Sequence, residues 1–169
     1  TEMLSSGARV QLALAPAGSG KTTAMSVLAD TWRASGGKIV GLAPSAVAAD
    51  ELRSALGGAV DTVAKLTSDL GRRGTATATV EHGWIDDIDQ DTLIVVDEAG
   101  MTSTRDLAAV VAYAFERGAS VRLVGDDQQL AAVEAGGVLR DLKMEVGAVT
   151  LTELMRFKRP DEAAATLAV

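Results

Sequence analysis

Lys21, Thr22, Asp97 and Glu98 are the residues of this chain whose types and settings can do chemistry on a phosphate. Lys21 and Thr22 stand near the end of the stretch Ala15-Pro-Ala-Gly-Ser-Gly-Lys21-Thr22-Thr23, in which small residues leave the main chain open to a ligand. In such a loop the backbone N–H groups of Ala17, Gly18, Ser19, Gly20, Lys21 and Thr22 converge on a β-phosphate, aided by the N-terminus of the helix that follows. Lys21 then reaches the β- and γ-phosphates and Thr22 offers a hydroxyl to Mg²⁺, while Thr23 lines the α-phosphate or closes the first helical turn. The pattern departs from the usual one at its first position, which is Ala15 and not glycine. Asp97 and Glu98 follow the apolar run Leu93-Ile-Val-Val96. Asp97 is expected as the outer ligand of Mg²⁺, and Glu98 is set to orient and deprotonate an attacking water. A pair of solvated turn acids, with Asp97 capping the next helix, is the plainer alternative.

These side chains work only if particular elements hold them. Leu12, Ala13 and Leu14 read as the end of a buried strand, and Ala24, Met25, Leu28 and Trp32 recur at helical spacing after Lys21. Strand, glycine loop and helix are the context the phosphate cradle requires. Leu93 to Val96 has the unbroken apolar character of a parallel strand buried on both faces, with its acids at the carboxyl end. Ligands of open α/β sheets bind at that edge, so a nucleotide and its metal would be completed there. Val121-Arg-Leu-Val124 reads as an alternating strand leading into Gly125-Asp126-Asp127-Gln128-Gln129-Leu130. Ser45 precedes Ala48, Leu52, Ala55 and Leu56 at helical spacing, so its hydroxyl can act as an N-cap worth roughly 1 kcal/mol.

The Gly-Asp-x-x-Gln-Leu segment resembles that of the superfamily 1 helicases, in which its Gln faces the γ-phosphate and couples nucleotide state to the grip on DNA; the match is Gln129. Gln128 falls at a variable position and takes no role. Val40-Gly-Leu-Ala-Pro-Ser45-Ala-Val-Ala-Ala49, Val133-Glu-Ala-Gly-Gly-Val-Leu139 and Leu151-Thr-Glu-Leu-Met-Arg156-Phe resemble the helicase part of conjugative relaxases of the TraA/TrwC kind, with RecD-like helicases next. The likeness implies an α/β P-loop NTPase fold with a RecA-like parallel sheet sandwiched by helices, and it implies ATP and Mg²⁺ as cofactors. It implies a motor lobe that hydrolyses ATP and moves on single-stranded DNA, in the 5′-to-3′ direction. By the same likeness Pro44 and Ser45 touch the DNA backbone, and Thr62 lies in a segment, Thr62-Val-Ala-Lys65-Leu66, that aligns loosely with a second DNA contact. That segment reads equally as an amphipathic helix. Arg156 matches the family's arginine that approaches the γ-phosphate, a guanidinium worth roughly 10³ to 10⁵ in rate in such enzymes, although a basic surface turn is its bland alternative. The neighbouring Arg159 reads as solvated.

The composition suits one cytoplasmic α/β domain: 169 residues, 47% hydrophobic and 23% charged. A chain near 150 residues buries roughly 70% of its unfolded surface, and with two Trp, two Phe and one Tyr here, Ala, Val and Leu must fill the core. The absence of Cys rules out disulfides and thiolate metal sites, and no apolar run approaches the roughly 18 residues of a membrane helix. Thr1 to Gly7 do not fit a targeting segment. Loops are expected at Gly36-Gly37, Gly57-Gly58, Gly71 to Asp91, Gly118 and Gly136-Gly137. In the longest, Asp86, Asp87, Asp89 and Asp91 lack the calcium-loop spacing and read as an acidic surface. His82 reads as surface or packing, Trp84 as a plug beneath the loop, and Trp32 and Tyr113 as core.

A net charge of −7 argues against a strong free-standing nucleic-acid binder, because non-specific affinity comes largely from Lys and Arg. A helicase, however, holds its strand in a groove between two lobes. The expectation is therefore a single RecA-like lobe over 1–169, a fragment of a larger protein with a second lobe and an attached DNA-nicking relaxase domain. Alone it should hydrolyse ATP weakly or not at all. A RecD-like repair helicase, a non-hydrolysing single-stranded DNA clamp and a small-molecule kinase remain the alternatives.

Overall fold

The computed structural model describes residues 8–14, 20–73, 83–125 and 148–150. Their order is β1 (Val10–Leu14), α1 (Lys21–Ala34), β2 (Lys38–Ala43), α2 (Ala46–Leu56), β3 (Ala59–Thr62), α3 (Val63–Arg72), α4 (Gly83–Asp86), β4 (Thr92–Val96), a 3₁₀ turn (Ala99–Met101), α5 (Thr104–Arg117), β5 (Ser120–Gly125) and β6 (Ala148–Thr150). Every strand pairs in parallel with its neighbours, in the order β3-β2-β4-β5-β1-β6. Parallel pairing needs a crossover between successive strands, and from β1 to β5 helices on the two faces supply it.

Both faces carry a core. On one, Leu12, Leu42, Ile94, Val96, Val121 and Leu123 pack with Leu66, Val110 and Tyr113 from α3 and α5. On the other, Ala13, Ile39, Leu93, Val95 and Val124 pack with Met25, Leu28, Leu52 and Leu56 from α1 and α2. β4 is buried at all five positions because a strand lies on each side of it and helices on each face, which is why its sequence does not alternate.

β5 is also central, so the alternation read in Val121-Arg-Leu-Val124 does not put Arg122 in water: Arg122 is only 2% exposed. Its guanidinium donates to Val121 O at 3.1 Å and Ala8 O at 3.4 Å, and burial pushes its pKa down to about 10.

Two further readings are corrected. Trp32 is half-buried at the rim of the second core, because its indole N–H donates to Asp91 O at 2.9 Å and keeps the ring at the edge. The stretch from Gly71 to Asp91 is not all loop: α3 runs on to Arg72, and α4 forms a single turn that buries Ile85 and packs Trp84 against the first core. Tyr113 is core, 4% exposed, with its hydroxyl donating to Ile85 O at 2.8 Å. His82 lies outside the described residues.

Candidate nucleotide and DNA site

All strands being parallel, the residues that follow them gather along one edge of the sheet. The register pairs Leu14 with Gly125, Leu123 with Val96 and Leu42 with Val96, so the ends of β1, β5, β4 and β2 lie within about two residues of one level. The helices α1, α2 and α3 start at that edge, each soon after a strand ends, and bring their free N–H groups to it.

Gly20 precedes α1 with φ 77° and ψ 30°, a left-handed turn that glycine adopts without a Cβ clash, and as the N-cap it makes no side-chain cap bond. A helix start of this kind can offer its first-turn N–H groups to an acceptor outside the helix. Lys21 is the first residue of α1; Thr22 is exposed and Thr23 half-buried beside it.

Asp97 follows β4, its N–H donating to Leu42 O at 2.9 Å, which continues the ladder one residue past the strand. Its Oδ1 accepts from Glu98 N at 2.8 Å. The same Oδ1 lies 2.6 Å from Lys21 Nζ, with the Lys21 side chain 30% and the Asp97 side chain 12% exposed. Lys21 opens the helix that follows β1 and Asp97 follows β4, and those strands are not neighbours, since β5 separates them. Glu98 has φ 48° and ψ 42°, the one left-handed non-glycine among the described residues, and starts the tight turn Ala99–Met101.

This donor set suits a magnesium-bound polyphosphate: an ammonium, uncapped helix N–H groups, a threonine hydroxyl and two acids on one edge. Lys21 and Thr22 would meet phosphate and metal, and Asp97 the metal's shell. Ala17, Gly18 and Ser19 of the cradle lie outside the described residues, as do Gln128, Gln129, Arg156 and Arg159.

On the same edge, beyond β4, Pro44 is half-buried and Ser45 exposed. Ser45 Oγ accepts from Ala48 N at 3.2 Å, so the capping role read from spacing is present. Thr62 caps α3 in the same way, its hydroxyl accepting from Lys65 N at 3.1 Å. The acidic stretch is drawn into ordinary ion pairs: Asp86 with Arg73, and Asp89 with Lys38. The Lys38 ammonium holds the Asp89 carboxyl below its usual range, and Asp89 in turn raises Lys38.

Sequence reasoning missed three features of the site. The contact of Lys21 with Asp97 depends on strand order, which no local pattern reports. The left-handed backbone at Glu98 carries no glycine to mark it. Thr102, just past the turn, buries a hydroxyl with no hydrogen-bond partner among the described residues, and a lone threonine gives no sign of that.

A parallel sheet between helix layers, with Lys21 opening the helix that follows β1 and an acidic strand end on the same edge, defines a P-loop NTPase of RecA-like fold. The AAA domain family matches the chain over residues 1–169, and the chain belongs to that family. Over 157 residues it is 33% identical to the probable conjugal transfer protein TraA of Sinorhizobium fredii, covering 92% of this chain and 13% of that protein. The conjugal transfer proteins TraA of Rhizobium radiobacter and Agrobacterium fabrum are 32% and 31% identical over 158 residues, with the same coverage. The chain thus spans about 13% of the length of these relatives. The TraA likeness read in the sequence stands. No helix among the described residues is long and apolar enough to cross a membrane.

Proposed function

We propose that this chain is the ATP-binding first motor lobe of a DNA helicase that moves on single-stranded DNA, acting in the cytoplasm within a conjugative relaxase for plasmid transfer. The observation that carries the reading is the meeting of Lys21 and Asp97 at 2.6 Å on the carboxyl edge of the sheet, beside Glu98, in a chain similar to TraA over 92% of its length. Lys21 neutralises charge on the β- and γ-phosphates, and Thr22 and Asp97 hold Mg²⁺, with Gly20 and Thr23 completing what Ala17, Gly18 and Ser19 begin. When bound, Mg²⁺ lowers the charge that opposes attack on the γ-phosphate. Glu98 takes the proton of the attacking water on its carboxylate. Gln129 and Arg156 complete the charge clamp by resemblance, and Pro44, Ser45 and Thr62 face the DNA backbone. The TraA likeness favours a transfer protein over a RecD-like repair enzyme, and the intact Lys21, Thr22, Asp97 and Glu98 oppose a vestigial clamp.

The test is calorimetric titration of Mg·ATP and Mg·ADP into the chain and into Lys21→Ala, with phosphate release followed with and without single-stranded DNA. Expected are binding by the parent chain, its loss in Lys21→Ala, and little release until a second lobe is supplied. A parent chain that binds neither nucleotide would sink the reading. Phosphorylation of a small acceptor would replace it with a kinase.

A further inference from the structure

The ion pair at the edge of the sheet gives Lys21 an anionic partner within the protein itself. Asp97 Oδ1 sits 2.6 Å from Lys21 Nζ, a full contact for an ammonium with a carboxylate. The two partners are not held alike. The Asp97 backbone is tied to Leu42 O, and its Oδ1 also accepts from Glu98 N, so the carboxylate is fixed from two sides. Lys21 reaches it on a flexible four-carbon stem from the first residue of α1. A polyphosphate seeking Lys21 must therefore draw the ammonium away from an immobile carboxylate that then stands unpaired, 12% exposed, beside the incoming charge. With a divalent cation bound, Asp97 would have another positive partner and Lys21 would be free to leave it.

We propose that Asp97, through its ion pair with Lys21, is an internal competitor for the phosphate seat, so that the lobe rejects polyphosphates arriving without a divalent cation. The inference rests on the nucleotide reading above and assigns Asp97 a second task, distinct from holding the metal.

The experiment measures the affinity of the 169-residue chain for ADP, and for inorganic pyrophosphate, in excess chelator. Parent, Asp97→Asn, Lys21→Ala, the double variant and Glu98→Gln are compared, with thermal unfolding as the check on folding and Asp97→Ser as the substitute should Asp97→Asn not fold. Asp97→Asn should tighten metal-free binding roughly fivefold to thirtyfold, the range of a partly screened ion pair. The gain should vanish when Lys21 is also alanine, and Glu98→Gln should not reproduce it. No gain in Asp97→Asn overturns the inference. So does an equal gain from Glu98→Gln or on the Lys21→Ala background, since either marks general charge repulsion and not competition for the ammonium. Mg·ADP binding to the parent separates the two failures: its absence overturns the nucleotide reading and this inference with it, while its presence beside an unimproved Asp97→Asn overturns this inference alone.

Discussion

Glu98 holds φ 48° and ψ 42°, a conformation that costs an ordinary residue roughly 1–2 kcal/mol. The cost is borne because Asp97 Oδ1 accepts from Glu98 N and because the turn that follows is closed by Met101 N donating to Glu98 O at 2.8 Å. Those bonds fix the backbone of a half-buried carboxylate at the sheet edge, independently of what its side chain does. Glu98→Gln keeps the backbone and the shape and removes only the base. In the two-lobed protein proposed above it should leave Mg·ATP affinity within about twofold, yet slow single-turnover phosphate release by roughly 10² to 10⁴. Equal losses in affinity and release would mean that Glu98 positions the loop and does not take a proton.

At the scale of elements, helix starts carry two meanings at once. Ser45 both caps α2 and stands exposed on the candidate DNA edge, and substitutions can separate the two roles. Ser45→Ala should lower stability by roughly 1 kcal/mol through the lost cap. Ser45→Asp keeps a good cap and adds a charge that repels phosphate, so it should leave urea unfolding unchanged while weakening single-stranded DNA binding. DNA binding untouched by Ser45→Asp would leave Ser45 as a cap only. The caps show what local sequence can report: Ser45 and its apolar spacing announce α2, and Leu93 to Val96 announces β4, because each signal lies within a few residues. What escaped the sequence depends on neighbours far along the chain. Arg122 looked like the polar half of an alternating strand, but β5 lies between β4 and β1 and has no wet face there. α4 is a four-residue helix, too short for any periodicity, and exists because Trp84 and Ile85 anchor it to the core. The chemistry-bearing residues were visible as types, whereas the approach of Lys21 to Asp97 depends on the strand order that sets β1 and β4 on either side of β5.

For the molecule as a whole, the charge balance sets how it can meet DNA. The net charge is −7, and six of the described cations are matched to carboxylates: Lys21 with Asp97, Arg33 with Asp30, Lys38 with Asp89, Arg53 with Asp50, Lys65 with Asp69 and Arg73 with Asp86. A phosphate backbone approaching the described carboxyl edge of the sheet thus meets chiefly the hydroxyls and N–H groups at the starts of α2 and α3. Contacts of that kind fix register and release few counterions. Binding of a fluorescent oligothymidine to the chain alone, followed by anisotropy across a salt series, should therefore be weak. Log affinity against log salt should have a slope no steeper than about −2, as for two or three neutralised phosphates on a single strand. Adding the second lobe should tighten binding and steepen the slope together, because the partner then supplies the missing cations. Submicromolar, steeply salt-dependent binding by this chain alone would show that the strand is held by one lobe and not in a groove between two.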